Sequence, residues 1–247
     1  MKEFLVFRLY GPMASWGEIA VGEVRRTESH PSRSAILGLI SAALGIRRED
    51  TEKLSVIFTG YDLAIKVQSA GTLLKDYHTV QVPDSVGKFK YMTRRDELVI
   101  GKERLGTILT SREYRCDALS IVALRARENT PYPLDVLREK LLYPEFTPYL
   151  GRKSCPIAAP LKPQIISAQG FRGALDGAIF PPLVMTYNEK DITETYMTMQ
   201  TETYYWEGDA GDMLPQQTIE RYDEPLNRLR WQFASRHEHR YVDEGGN

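Results

Sequence analysis

The chain has 247 residues, of which 42% are hydrophobic and 26% charged, a globular composition that excludes a disordered protein. Its 32 basic and 33 acidic residues nearly cancel, so net charge alone predicts neither nucleic-acid nor membrane binding. The charge is unevenly distributed, however. Residues 1–160 hold 24 basic and 19 acidic residues, whereas residues 161–247 hold 8 and 14. We therefore expect any polyanion-binding surface in the first two-thirds of the chain.

Residues that hold metals or nucleotides in familiar motifs are scarce. Two cysteines, Cys116 and Cys155, and four scattered histidines indicate neither a zinc cluster nor a disulfide framework. The sequence has no phosphate-binding loop, dinucleotide fingerprint or serine-hydrolase elbow. Arg8 interrupts the apolar N-terminal stretch, and no apolar run reaches the roughly 20 residues of a membrane helix. We expect a cytoplasmic protein with no cofactor, no metal and no membrane partner.

The first elements follow from hydrophobic periodicity. Residues 3–10 are rich in aromatic and β-branched side chains and predict a strand that ends at Gly11-Pro12. After a long loop, Ser32 is placed as the N-cap of a helix whose apolar residues recur at helical spacing until Gly45. Residues 61–69 alternate like a second strand.

The next forty residues have a different character. Residues 71–111 show weak periodicity and many basic side chains, which favours a functional excursion or a protruding hairpin. A strand is then predicted over 113–124, a helix over 134–142, and a return to the sheet edge and a turn over 146–154. This order predicts an α+β, ferredoxin-like (RRM-like) domain over 1–160, followed by a small β-rich region over 161–247.

Basic and aromatic residues on three predicted loops are the candidates for binding. Arg25 and Arg26 precede the first helix, and Arg33 and Ser34 lie in its first turn, where free backbone N–H groups favour an anion. In the segment 151–154, a glycine, two cations and a hydroxyl can meet phosphate oxygens, and Tyr149 can stack on a base. The alternative is that these side chains are merely solvated.

Two further residues have more than one interpretation. His78 can be a general acid/base for RNA cleavage, an RNA hydrogen-bond donor, or a structural histidine held by Asp76. Trp16 is most simply a core or lid residue.

Several segments in order along the chain resemble a known family. They are FRLYGPMASWG, HPSRSAILGLISAALGIRRED, DYHTV, SREYRCDALSIVAL, YPEFTPYLGRKSCPIAAP and RYDEPLNRLRWQFASR. These segments resemble the CasD-type subunits of type I-E Cascade, which are family-five CRISPR-associated proteins. The matches extend from residue 4 to residue 236.

The resemblance implies an RNA-binding assembly subunit. It implies a ferredoxin-like domain with a thumb hairpin at 71–111 and a glycine-rich loop at 151–154. The expected partners are the 5′ handle of a CRISPR RNA, the backbone and large subunits of Cascade, and target DNA through the complex. The residues we expect at the RNA are Trp16, Arg25, Arg26, Arg33, Ser34, His78, Lys88, Arg94, Arg95, Arg112, Tyr114, Tyr149, Gly151, Arg152, Lys153 and Ser154.

Two alternative functions remain. The first is a metal-independent endoribonuclease that cuts CRISPR precursor RNA, as family members in another branch do, with a site built from Lys75, Tyr77, His78 and Tyr114. The second is an unrelated ferredoxin-like structural protein. We expect no enzymatic activity, because the motifs resemble the branch in which a separate subunit cuts the RNA.

Overall fold

A computed structural model describes residues 1–17, 20, 22–84, 90–128, 130–183, 185–187, 190–192, 201–227, 230 and 232–243. The fold is mixed α and β, with many strands and few helices. In chain order the elements are β1 (Lys2–Tyr10), β2 (Met13–Ala14), β3 (Val24–Arg25), α1 (Arg33–Ala43), α2 (Thr51–Gly60), β4 (Tyr61–Ser69), β5 (Thr72–Pro83), α3 (Arg94–Leu98), β6 (Leu105–Cys116), β7 (Leu119–Ala126), α4 (Leu134–Leu142), β8 (Gln164–Ala168), α5 (Phe171–Asp176), β9 (Met185–Tyr187), β10 (Lys190–Ile192), β11 (Thr203–Trp206), β12 (Gln217–Asn227) and β13 (Gln232–Val242).

One seven-stranded sheet organises the molecule. Its strand order is β12-β13-β11-β4-β7-β1-β8, and every neighbouring pair is antiparallel. Strands from both sides of residue 160 share this sheet, because β8 pairs with β1 and β11 pairs with β4. The division of the chain into two domains at residue 160 therefore stays a prediction.

Both faces of the sheet are covered. On one face, α1, α2 and α4 pack on Leu5, Phe7 and other strand residues in the larger core cluster. On the opposite face, Phe171 and Leu175 of α5 pack on Phe4 and Val6 of β1. Alternate residues of β1 therefore serve two cores, which explains why this strand is a nearly continuous apolar run.

Helix α1 begins and ends as its sequence predicts. The Ser32 hydroxyl accepts a hydrogen bond from the backbone N–H of Ala35, which satisfies one of the free donors of the first turn. Ile36, Leu37 and Ile40 lie on one face and are buried against the sheet. Gly45 adopts φ 75°, a left-handed conformation that ends the helix with little strain.

The excursion at 71–111 is a long hairpin. β5 and β6 pair over twelve positions, from Thr72 opposite Cys116 to Pro83 opposite Leu105, and α3 lies near the end of the hairpin. Most residues of β5 are exposed, which explains the weak hydrophobic periodicity of this segment.

Two predicted strands are wrong in detail. The strand predicted over 113–124 is two strands, because the chain turns at Asp117, which has φ 57°, between β6 and β7. Residues 146–154 form a turn rather than a sheet strand. The N–H of Cys155 donates to the carbonyl of Arg152, and the N–H of Leu150 donates to the carbonyl of Cys155. The strand that completes the sheet beside β1 is β8.

The C-terminal region is β-rich, and its strands differ from those predicted. The sequence patterns at 180–187 and 192–206 predict one strand each. Among the described residues, the first range holds the strand Met185–Tyr187, and the second holds the end of β10 at Ile192 and the strand Thr203–Trp206, while 184 and 193–200 lie outside the described residues. The hairpin of β12 and β13 is an addition that periodicity did not indicate.

Candidate nucleic-acid interface

A groove of about 940 Å³ lies between α1 and the turn at 146–152. Arg25, Arg47, Arg48 and Arg152 line it, and the described lining residues include a single acid, Glu49. Arg47 and Glu49 are 4.0 Å apart and both mostly exposed, so this ion pair is weak and leaves the groove positively charged.

Aromatic and small residues complete the groove. Tyr149 is 38% exposed at its wall, which leaves a ring face available for stacking. Ser34 and Gly38 line the opposite wall on α1. A Cβ atom added to Gly38 would meet no atom within 4 Å, so the backbone of α1 is open to close approach there.

Arg152 connects the groove to the β5–β6 hairpin. Its guanidinium lies over the ring of Tyr114, 4.8 Å from the ring centre, which fixes the side chain at the edge of the groove. The Nη1 atom of Arg152 is buried and has no hydrogen-bond partner among the described residues. The guanidinium is thus held against an aromatic ring while its Nη1 group has no acceptor. This arrangement is suited to binding an anionic ligand.

One face of the hairpin continues this surface. Arg25 of β3 lies beside Arg112 of β6, and Arg112 lies opposite Asp76 of β5. Because register partners point to the same side of a sheet, these three side chains form one row. Tyr114 and His78, each two residues away, share that face. The Nε2 atom of His78 is 2.6 Å from Oδ2 of Asp76, so the two side chains are in contact.

Gly151 is required by packing. It adopts φ 83°, and a Cβ atom there would lie 1.9 Å from the carbonyl oxygen of Ser15. The glycine thus lets the turn approach the chain just before Trp16. Lys153 and Ser154 are exposed on the same turn, so the turn presents polar side chains to solvent.

A buried network of charges lies behind the groove. Nε of Arg236 is 2.6 Å from Asp223, and its other nitrogens are 2.9 Å from Glu238 and 3.1 Å from Glu207. His30, which stacks on the Tyr205 ring, is 3.0 Å from Glu238. The network joins the loop before α1 to the β12–β13 hairpin.

The two glutamates of this network titrate in opposite directions. Burial alone would raise the pKa of Glu238, but the hydrogen bond from His30 and the charges of Arg236 and Arg221 lower it to about 2. Burial outweighs the charges of Arg33 and Arg236 at Glu207 and raises the pKa of that carboxyl.

Comparison with known proteins identifies the family. The family model described as CRISPR-associated protein (Cas_Cas5) matches residues 4–238. The chain belongs to this family. The resemblance indicated by the sequence motifs is thereby confirmed.

Relatives of known sequence and structure agree with this membership. The Cascade subunit CasD of Escherichia coli (strain K12) is 36% identical over 169 residues, which are 65% of this chain and 70% of that protein. A chain of a "CRISPR RNA-guided surveillance complex" superposes with a TM-score of 0.62 at 24% identity, covering 97% of this chain and 90% of that chain. A "Cas protein" crystal structure gives a TM-score of 0.56 at 21% identity, covering 97% and 94%. These two structures support the fold.

The structure brings half of the predicted residues to the groove and the hairpin face beside it. The groove collects Arg25, Ser34, Tyr149, Gly151 and Arg152. Of the others, Arg112, Tyr114 and His78 share the adjoining hairpin face, while Arg26, Lys153 and Ser154 are exposed nearby in sequence.

Arg33 is a correction to the sequence-based prediction. Its side chain is 3% exposed, its Nη1 is 2.9 Å from Glu207, and its Nη2 donates to the carbonyls of Phe58 and Tyr61. This arginine joins three parts of the chain and has no donor directed at solvent. We therefore remove it from the candidate interface.

Among the described residues, Arg94, Arg95 and Trp16 do not line the groove. Arg94 pairs with Glu97 at 2.5 Å and donates to the carbonyl of Gln81, and Arg95 is exposed beside it on α3. Lys88 lies outside the described residues. Trp16 is 4% exposed and packs in the core, in agreement with its interpretation as a core residue.

Among the groove residues that sequence reasoning missed are Gly38, Arg47 and Arg48. Arg47 and Arg48 follow Gly45, the glycine that ends α1, after the single residue Ile46, and this position was the available signal. Among the described residues, no group of three His, Cys, Asp or Glu side chains is placed to hold a metal ion. In the same part of the chain, no helix has the length and hydrophobicity to span a membrane.

Proposed function

We propose that this chain binds the 5′ handle of the guide RNA in a Cascade-type complex, with the RNA lying in the groove beside α1. One observation carries the proposal: four arginines and an exposed tyrosine line a single groove, whose described lining includes one acidic side chain. Phosphates of a bent single strand crowd together and need cations, while its splayed bases need aromatic faces. The relative from E. coli is a Cascade subunit, which supports the assignment to such a complex.

The proposal includes a ferredoxin-like core. Strands β8, β1, β7 and β4 lie side by side, α1 and α2 connect β1 to β4, and α4 connects β7 to β8. This is the order of the split βαβ fold. RRM-like domains often stack bases on an open sheet face. Here α5 covers that face, so the groove beside α1 is the surface suited to RNA.

We assign the hairpin a second role in assembly. Its other face exposes Leu73, Tyr77 and Leu109, with between 49% and 71% of each residue accessible. Exposed apolar side chains on a two-stranded hairpin favour contact with a protein. The proposed partners are the neighbouring subunits of the complex, which would act in the cytoplasm.

We also propose that the chain does not cut RNA. The alternative nuclease site requires Lys75 and Tyr77 to act with His78 and Tyr114. Along β5 successive side chains point to opposite faces, and the Lys75 ammonium lies 5.3 Å from the centre of the Tyr77 ring. Lys75 and Tyr77 thus share one face while His78 and Tyr114 share the other, which does not support a common site.

Salt dependence of RNA binding tests the proposal. Each phosphate neutralised on a single strand contributes about −0.7 to the slope of log K against log salt. Replacing both Arg48 and Arg152 with Ala is expected to weaken binding and to make the slope less steep by about 1.4. Arg138→Ala on α4 removes the same kind of charge away from the groove and should change neither quantity. An unchanged slope in the double variant would exclude the groove as the phosphate site.

A further inference from the structure

We propose that a second cavity, next to the groove, accepts one RNA base that carries an amino group, either cytosine or adenine. The inference rests on the proposed function, because it requires an RNA strand in the groove. The cavity measures about 240 Å³ and lies between the loop around Trp16 and the β12–β13 hairpin. That volume is below the roughly 300–1,000 Å³ of pockets for drug-sized ligands, so it suits a single ring system.

The cavity is connected to the groove. Gly17 and Ser32 line both spaces. Tyr222 also lines the cavity and is 60% exposed, so its ring is available for stacking. A strand that follows the groove can therefore turn one base into the cavity without leaving the arginines.

The indole of Trp16 supplies an unused donor. Trp16 is 4% exposed and lines the cavity, and its Nε1 has no hydrogen-bond partner among the described residues. A Cβ atom on Gly151 would lie 3.6 Å from Cε3 of the indole, so that edge faces the turn beside the groove. Because Nε1 is on the opposite edge of the indole from Cε3, we infer that its N–H is directed away from the turn. Buried Trp N–H groups normally have an acceptor, and a ligand in the cavity would provide one.

The rest of the lining favours a neutral base over a phosphate. Carboxylates of Glu28, Glu220, Asp223 and Glu238 line the cavity together with Arg221 and Arg236. The carboxylates of Asp223 and Glu238 form ion pairs with Arg236, so their positions in the lining are fixed. The carboxylates of Glu28 and Glu220 are at the more accessible positions and can accept hydrogen bonds, but would repel an anion.

Donor and acceptor together define the base. On the Watson–Crick edge, cytosine and adenine each have a ring nitrogen that accepts a hydrogen bond next to an amino group that donates two, whereas guanine has a ring N–H donor there. The indole N–H can donate to the ring nitrogen while a glutamate accepts from the amino group. Uracil has a carbonyl where cytosine has its amino group, and would place that oxygen against the carboxylate.

Binding of short oligonucleotides tests the inference. Fluorescence anisotropy would compare oligo(C) with oligo(U), which have rings of the same size, on the purified full chain. We expect oligo(C) to bind at least fivefold more tightly, as for one specific base contact. Trp16→Phe keeps an aromatic ring at this position but removes the N–H, and should bring the two affinities within about twofold of each other without changing that for oligo(U).

Two further cavity variants and one groove variant make the result easier to interpret. Glu220→Gln and Glu28→Gln are at less buried positions and should reduce the preference for oligo(C) even if Trp16→Phe unfolds. Arg48→Ala in the groove should weaken both oligonucleotides equally. Equal affinity of the wild-type chain for oligo(C) and oligo(U), or a preference that survives all three cavity variants, would overturn the base site alone. Failure of the wild-type chain to bind either RNA would refute the proposed function itself.

Discussion

Gly38→Ala is expected to stabilise the chain and weaken its RNA binding at the same time. Gly38 lies in the middle of α1, where a glycine costs about 0.5–1 kcal/mol relative to alanine. Because the added methyl group would meet no atom within 4 Å, no clash offsets this gain. For a chain of this size, the gain corresponds to an increase in Tm of about 1–4 °C.

Gly38→Ala is expected to weaken RNA binding, although it stabilises the free chain. The same methyl group projects into the groove, where the proposed RNA strand approaches the bare turn of α1. Overpacking a closely packed contact costs about 1–3 kcal/mol, so the dissociation constant should rise at least fivefold. Urea denaturation of the free chain and anisotropy with a labelled RNA measure the two quantities.

A matched control separates helix stability from contact with RNA. Ser55 is exposed on α2 away from the groove, and Ser55→Ala should stabilise its helix modestly without altering RNA affinity. If Gly38→Ala stabilises the chain but binds RNA as tightly as the wild type, the strand does not contact this face of α1. If Gly38→Ala destabilises the chain, the open space described above Gly38 is wrong.

Four other predictions use the same structure. Glu207→Ala leaves the buried Arg33 without its carboxylate and should lower the free energy of unfolding by about 3 kcal/mol, whereas loss of the exposed Glu49 should cost less than about 0.5 kcal/mol. The lowered pKa of Glu238 implies up to about 3 kcal/mol of stability that is present above pH 4.5 and lost as the pH falls toward 2; Glu238→Gln should flatten this part of the curve of stability against pH. His78→Ala should leave precursor RNA as intact as the wild-type chain does, and cleavage that disappears in the variant would favour the nuclease instead. Deletion of residues 80–105 should keep the cooperative unfolding of the core but impair assembly with partner subunits; assembly at wild-type yield would refute the thumb assignment.

Local signals were sufficient for the elements that position the groove. Ser32 as N-cap, the apolar spacing of α1 and the alternation over 61–69 each have a local physical cause, and the structure has α1, β4 and α4 in the predicted places. The glycine turn at 151–154 was similarly visible as a loop with two cations. Convergence of Arg25, Tyr149 and Arg152 on one groove followed from the predicted order of elements.

Long-range pairing explains what the sequence could not indicate. Arg33 in a helical first turn has the pattern of an anion site, and its actual partner, Glu207, is 174 residues away. Lys75 and Tyr77 are close to His78 in sequence but lie on the other face of the hairpin. The short helix α5 has only six residues, too few for a periodic signal, and yet it packs on β1, β4, β7 and β8 of the sheet.

The pairing of β4 with β11 has a consequence for how the chain folds during synthesis. Val67 lies opposite Thr203, so the ribosome must add more than a hundred residues before the edge of β4 can be paired. Contacts between such distant segments slow folding, since a long loop must close before they form. Until then β4 presents an open edge with unsatisfied backbone groups, which is the feature that promotes aggregation of nascent sheets. A nascent chain stalled between β4 and β11 should therefore require chaperone protection that the finished chain does not.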